Sequence, residues 1–135
     1  MDLQNLIYAL TQVAHNFGAV TVVAVPLYVV SAGRPVRERR VLWLVLSGWA
    51  LQLASGALFG LVSFHFYGQL PDIHGIAIAA LSVKVLCATA AVVLVAVSLR
   101  LRAAPGDRRA ALIWLALAAL GMTALTAAAF LRWFS

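Results

Sequence analysis

Four long apolar blocks separated by three short polar segments organise this chain. The blocks predict membrane spans at about 6–30, 41–66, 73–99 and 110–134. Each is longer than the roughly 20 apolar residues that cross a bilayer as a helix, so the spans should tilt. Ser31, Gly33 and Pro35 close the first block. A turn region from His65 to His74, with Gly68 and Pro71, separates the second from the third, and Pro105-Gly106 separates the third from the fourth. The expected fold is all-α: an integral membrane four-helix bundle in a single domain, with the lipid bilayer as its first partner. Asp2 precedes the first block where a signal peptide would be basic, and no small-residue cleavage site follows, so that block is read as a retained span.

The blocks are not uniformly apolar. Asn5, Tyr8, Gln12, His15, Asn16 and Ala19 recur three or four apart and share one side of the first span. A polar stripe facing lipid costs free energy, so it is expected to face protein or water. Pro26 falls in the last turns of that span, where neighbouring helices can satisfy the freed carbonyl. In the second span Gly48, Gln52, Ser55, Gly56, Phe59 and Ser63 cluster on one side, a packing seam of small residues with Gln52 as interhelical hydrogen bonder. The third carries Ala77, Ala80, Ala88 and Ala91 on the face of Lys84. In the fourth, Thr123 and Thr126 can bond back to their own helix or across to a neighbour. Trp43 and Trp133 suit the membrane interfaces.

Composition agrees with the membrane assignment. Of 135 residues, 64% are hydrophobic and 10% charged, against about a quarter charged in a soluble domain. The formal charge of +6 is concentrated in two loops: Arg34, Arg37, Arg39 and Arg40 in one, Arg100, Arg102, Arg108 and Arg109 in the other. This is the pattern of cytoplasmic membrane loops, and no nucleic-acid partner is expected. It predicts a bacterial inner-membrane protein, multi-pass, with both termini and the His65–His74 loop on the periplasmic side. Cys87, the single cysteine, lies in an apolar block, which excludes an internal disulfide and gives no support to a thiolate cluster.

Candidate chemistry is confined to a few residues. His15 lies roughly 12 Å below the outer boundary at 1.5 Å per residue. Histidine is rare within membranes; a neutral imidazole there can ligate haem iron or copper, or be a buried histidine bonded to a neighbouring helix. Gln12 and Asn16 are expected to orient its ring. Lys84, the single lysine, lies near mid-membrane and needs an anion, a water-filled cavity or a neutral state; no Asp or Glu lies in the spans. A haem propionate, backbone carbonyls or another subunit are the candidate partners. His65 and His74 flank the outer loop, with Tyr67 and Asp72 between them, and form a candidate copper, zinc or surface-haem site, or simply solvated histidines. On depth, His65 pairs with His74 better than either pairs with His15. No hydrolase triad, phosphate loop or paired-carboxylate site is present, and no reaction is assigned.

A faint repeat runs through the chain. Glu38-Arg39-Arg40 and Asp107-Arg108-Arg109 are offset by 69 positions, and the same offset carries His15 onto Lys84. Two similar helical hairpins related by an axis along the membrane normal would place those two side chains at like depth.

The His15 region, Arg39-Arg40 opening the second span, Ser55-Gly56 within it, and the segment Leu81-Ser82-Val83-Lys84-Val85-Leu86 followed by Arg100 resemble the copper-resistance D superfamily, which includes small haem-binding relatives of the protoporphyrinogen-oxidase type. The resemblance implies a four-helix unit handling copper or b-type haem. The chain differs from a copper carrier in having only Met1 and Met122 as methionines and no histidine-rich segment. The readings carried forward are a small membrane protein binding haem b or a metal ion for electron transfer or porphyrin handling, a copper passage past His65 and His74, and an accessory subunit. The last would form a homo-oligomer or pack against other membrane subunits of a respiratory or transport complex.

Overall fold

The computed structural model describes residues 3–33, 39–69, 73–100 and 108–134. Its elements are α1 (Leu3–Ser31), α2 (Arg39–Tyr67), α3 (Ile76–Arg100) and α4 (Arg108–Phe134). All four are long and apolar enough to cross a membrane. The chain is an all-α four-helix bundle and a multi-pass membrane protein. The expected ends differ from those found by no more than three residues, and α1 runs unbroken through the buried Pro26. Arg34, Pro35, Arg37, Glu38, Pro71, Asp72, Arg102, Pro105, Gly106 and Asp107 lie outside the described residues.

Each helix packs against two others, giving a ring α1–α2–α3–α4 in which α1 faces α3 and α2 faces α4 across the diagonals. The hairpins α1–α2 and α3–α4 are the tighter units. Arg39, Arg40, Arg100, Arg108 and Arg109 gather at one end of the bundle. At the other end the Gln4 amide donates to the Tyr67 hydroxyl at 2.7 Å, tying the start of α1 to the last turn of α2. Gly68, at φ +69°, then takes the left-handed turn that ends α2, its N–H bonded to the Phe64 carbonyl.

Close packing depends on glycines facing α1. A Cβ on Gly121 of α4 would stand 2.7 Å from the Val22 carbonyl oxygen, and one on Gly48 of α2 would stand 2.9 Å from the Thr21 methyl. Small residues thus let α2 and α4 approach the backbone of α1. Trp49, Trp114, Leu117, Val45 and Val95 fill the centre. Gly56 departs from the expected seam: a Cβ there meets nothing within 4 Å. Its position one residue past Ser55 turns it about 100° away from the contact.

Lipid-facing hydroxyls are satisfied within their own helices. Ser82, Thr89 and Thr126 donate to the carbonyls of Ile78, Val85 and Met122 at 2.9 Å. Backbone and hydroxyl groups both need such partners where no water is present.

The 69-residue offset extends to the buried faces. The buried residues of α1, Thr11, Gly18, Val22, Pro26 and Val29, map onto Ala80, Cys87, Ala91, Val95 and Ser98, all buried in α3. Val45, Gly48, Trp49, Gln52 and Ser55 of α2 map onto Trp114, Leu117, Ala118, Gly121 and Ala124, all buried in α4. Leu42 and Val62 do not match, corresponding to the exposed Ala111 and half-buried Leu131. In the other direction, the buried Ala77, Ala88, Ala110 and Ala127 correspond to the half-buried Tyr8, Ala19 and Val41 and the exposed Leu58. The two hairpins therefore share a burial register.

Candidate functional site

His15 projects from α1 into the half of the bundle nearer the chain termini, where α2 supplies its surroundings. Ser55 lies one turn beyond Gln52 on the inward face of α2, and its Oγ stands 2.7 Å from His15 Nδ1. The Gln52 side-chain amide donates to the His15 backbone carbonyl, which pins the turn of α1 that carries the ring. Phe59, one turn farther along α2, meets the imidazole edge-on with ring centroids 5.7 Å apart, and Tyr8 stacks on the far part of Phe59 at 6.3 Å. Seen from the sequence, the packing seam of α2 is also the wall of the His15 site.

Lys84 enters from the diagonal helix α3. Its Nζ lies 3.1 Å from His15 Nε2, so the two residues related by the 69-position offset touch across the bundle interior. The alanine face below Lys84 makes this reach possible: Ala77, Ala80, Ala88 and Ala91 are all buried and draw α3 in close. The described residues include no Asp or Glu; Asp2, Glu38, Asp72 and Asp107 all lie outside them.

Donor and acceptor roles follow from counting hydrogens. Ser55 Oγ carries one, directed at the Leu51 carbonyl at 2.6 Å. It therefore accepts from His15 Nδ1–H, leaving Nε2 as the acceptor for a proton on Lys84 Nζ. Lys84, His15, Ser55 and the Leu51 carbonyl form one chain in which every donor points the same way. Shifting the Lys84 proton onto Nε2 converts the same contact into an imidazolium bonded to a neutral amine, without moving a heavy atom.

Neither protein-family models nor curated proteins nor solved structures match this chain. The site must be read from its own geometry.

The other expected site residues are placed differently. Gln12 and Asn16 do not orient the His15 ring. Both are exposed, and the Gln12 amide donates to Asn16 Oδ1 at 2.8 Å. They lie about 60° and 100° around α1 from His15, so a histidine aimed at α2 and α3 carries them away from the interior. Ser55 and Phe59 take their place. His65 is exposed in the last turn of α2, edge-on to Phe66 at 5.0 Å. His74 is exposed just before α3, its carbonyl accepting from the Ala77 N–H. Asp72, the third member of that expected grouping, lies outside the described residues. Among the described residues no three His, Cys, Asp or Glu side chains converge to hold a metal ion.

A ligated haem or copper ion would need a free ring nitrogen at His15. Both nitrogens are engaged, Nδ1 by Ser55 and Nε2 by Lys84. A groove of about 450 Å³ between α3 and α4, and one of about 240 Å³ beside α1, are lined by neither His15 nor Lys84. As arranged, coordination of either group through Nε2 would require Lys84 to leave that nitrogen, while Ser55 could keep its bond to Nδ1.

Proposed function

We propose that this protein takes up and releases a proton within the membrane at the His15–Lys84 pair, as a small multi-pass subunit that serves a larger respiratory or transport assembly. The observation that carries the reading is the 3.1 Å contact between Lys84 Nζ and His15 Nε2, with no carboxylate side chain among the described residues. An amine and an imidazole in contact can exchange one proton, because either can hold it while the other accepts. A lysine held in hydrocarbon without a counter-ion is expensive, and such residues are kept for function. Ser55 fixes the ring orientation, and Gln52 fixes the turn beneath it.

Arginines at one end of the bundle support an inner-membrane location with that end in the cytoplasm, and both termini on the periplasmic side. The site then lies nearer the periplasmic face.

The test is proton movement in proteoliposomes that hold a pH-sensitive dye, driven by a potassium diffusion potential. The wild type should acidify or alkalise the lumen faster than protein-free vesicles, and His15→Phe and Lys84→Met should each remove the difference. Equal flux in all three proteins would sink the proposal.

The copper-resistance D resemblance supports a second reading, in which haem b or copper is handled at His15. The unbalanced charge of Lys84 suits a ligand bearing carboxylates, and such a ligand would draw the amine off Nε2. Oxidised and dithionite-reduced absorption spectra of protein from haem-replete cells decide the haem half of this reading, a Soret band lost in His15→Ala supporting it and a colourless folded protein removing it; metal analysis of the same protein decides copper.

A further inference from the structure

We propose that α1 carries a homodimer interface, on which a second copy of this chain docks through Gln12 and Asn16. The inference is independent of proton exchange at His15. Both side chains are exposed on the outer surface of the bundle. The 29 residues of α1 span about 43 Å against roughly 30 Å of hydrocarbon. A centred helix therefore holds Gln12 and Asn16 inside the apolar layer, about 7 and 13 Å from its edge.

These amides differ from the other polar groups on the lipid-facing surface. Ser82, Thr89 and Thr126 spend their single hydrogen on a carbonyl of their own helix. Gln12 and Asn16 exchange one bond with each other. That leaves Gln12 Oε1 as an acceptor, and one N–H of Gln12 and two of Asn16 as donors. Lipid tails offer nothing to these groups, and an unsatisfied amide in hydrocarbon is costly.

The leftover set is complementary to itself. Two copies inserted in the same direction are related by a two-fold axis along the membrane normal, which sets α1 beside α1 with equal heights facing. Asn16 Nδ2 of one copy then lies one turn from Gln12 Oε1 of the other, and the reciprocal bond forms by symmetry. No charged side chain occurs between Leu3 and Ser31, so nothing on this helix repels its copy. The same face continues as Ala19, Val20, Val23 and Ala24, which with Leu125 of α4 line a shallow apolar groove of about 240 Å³. Small residues there admit a close neighbour.

Disulfide trapping in native membranes tests the interface, with two differently tagged copies of the full chain carrying Cys87→Ser. Val20→Cys should give an oxidant-dependent dimer containing both tags, and Leu86→Cys on the lipid-facing side of α3 should not. Gln12→Leu with Asn16→Leu should weaken association about tenfold or more, with helicity retained. The proposal is overturned if Val20→Cys yields only monomer or a link to a different protein. A dimer that forms through Leu86→Cys, or that is undiminished by the paired leucines, overturns it as well. Should the leucine pair fail to fold, the Val20→Cys and Leu86→Cys results decide alone.

Discussion

Replacing Lys84 by methionine should make this protein more stable, and the size of the gain follows from its position. Lys84 lies eight residues after Ile76, about 12 Å along a helix roughly 37 Å long, which puts its Cα some 8 Å inside the hydrocarbon. Placing a lysine near the centre of a span costs about 2.5–3.5 kcal/mol on insertion scales, somewhat less at this depth. The return is one hydrogen bond from a charged donor to His15 Nε2, worth about 1.5–3 kcal/mol. Methionine keeps the length and apolar bulk of the stem while removing both, so the net gain should fall between zero and about 2 kcal/mol. His15→Leu works in the opposite direction. It strips Lys84 of its acceptor and Ser55 of its donor while the buried amine remains, and should cost about 2–3 kcal/mol. The double variant should return close to wild type, so the coupling between the sites is at most about 3 kcal/mol.

The assay is reversible unfolding in mixed micelles titrated with sodium dodecyl sulfate, followed by helicity and by the emission of the buried Trp49 and Trp114. A Lys84→Met protein destabilised by more than about 1 kcal/mol, beside a silent His15→Leu, would refute the reasoning. It would make Lys84 a structural residue with better partners than His15. Stabilisation combined with lost proton flux would show a residue retained against its energetic cost, as groups at working sites often are.

Two further outcomes follow from the packing and the charge distribution. Gly121→Ala should destabilise by about 1–3 kcal/mol in the same titration, because its Cβ would stand 2.7 Å from a backbone oxygen of α1 that cannot swing aside. Gly56→Ala, in open space, should be neutral or stabilising by up to about 1 kcal/mol, and equal effects at the two glycines would contradict the described seams. Alkaline phosphatase fused after Ser135 should be active, because four spans return the chain to the side opposite the arginines; an inactive fusion, with β-galactosidase active at the same position, would reverse the orientation.

How far the sequence discloses this molecule depends on whether a feature is local or shared between helices. Span number, span ends and the arginine-rich end are local, since twenty-residue apolar runs and loop charge are read one segment at a time. The inward face of α3 was legible because four alanines flank Lys84 at helical spacing. The polar stripe of α1 was legible as a stripe, but its division was not. Periodicity groups Gln12, His15 and Asn16 in one sector about 100° wide, and only the positions of α2 and α3 decide which edge turns inward. Ser55 was visible as a small seam residue, yet nothing along α2 announces that its hydroxyl meets an imidazole forty residues away. Gly56 shows the same limit: next to Ser55 in sequence, it is turned off the contact that Ser55 makes.

The repeat explains why the centre of the site was nevertheless within reach. Matching burial at an offset of 69 means that α1 and α3 present the same face at the same depth, and helices related by a two-fold axis meet near that axis at equivalent positions. In an ideally symmetric bundle the two residues there would be identical. Two histidines could share a proton but would be equal as acceptors, and two lysines would repel. Here the equivalents are His15 and Lys84, a ring that accepts and an amine that donates. The departure from symmetry falls at the place where symmetry brings the side chains together, and it turns a structural coincidence of like positions into a polarised pair. The same division is seen in the packing. Val45 and Trp49 of α2 correspond to Trp114 and Ala118 of α4, so each hairpin fills the centre with one indole, placed one turn apart in the two registers. Two indoles at the same register would compete for one space. Offset, both lie buried in the half of the bundle nearer the arginines and leave the other half to the polar pair.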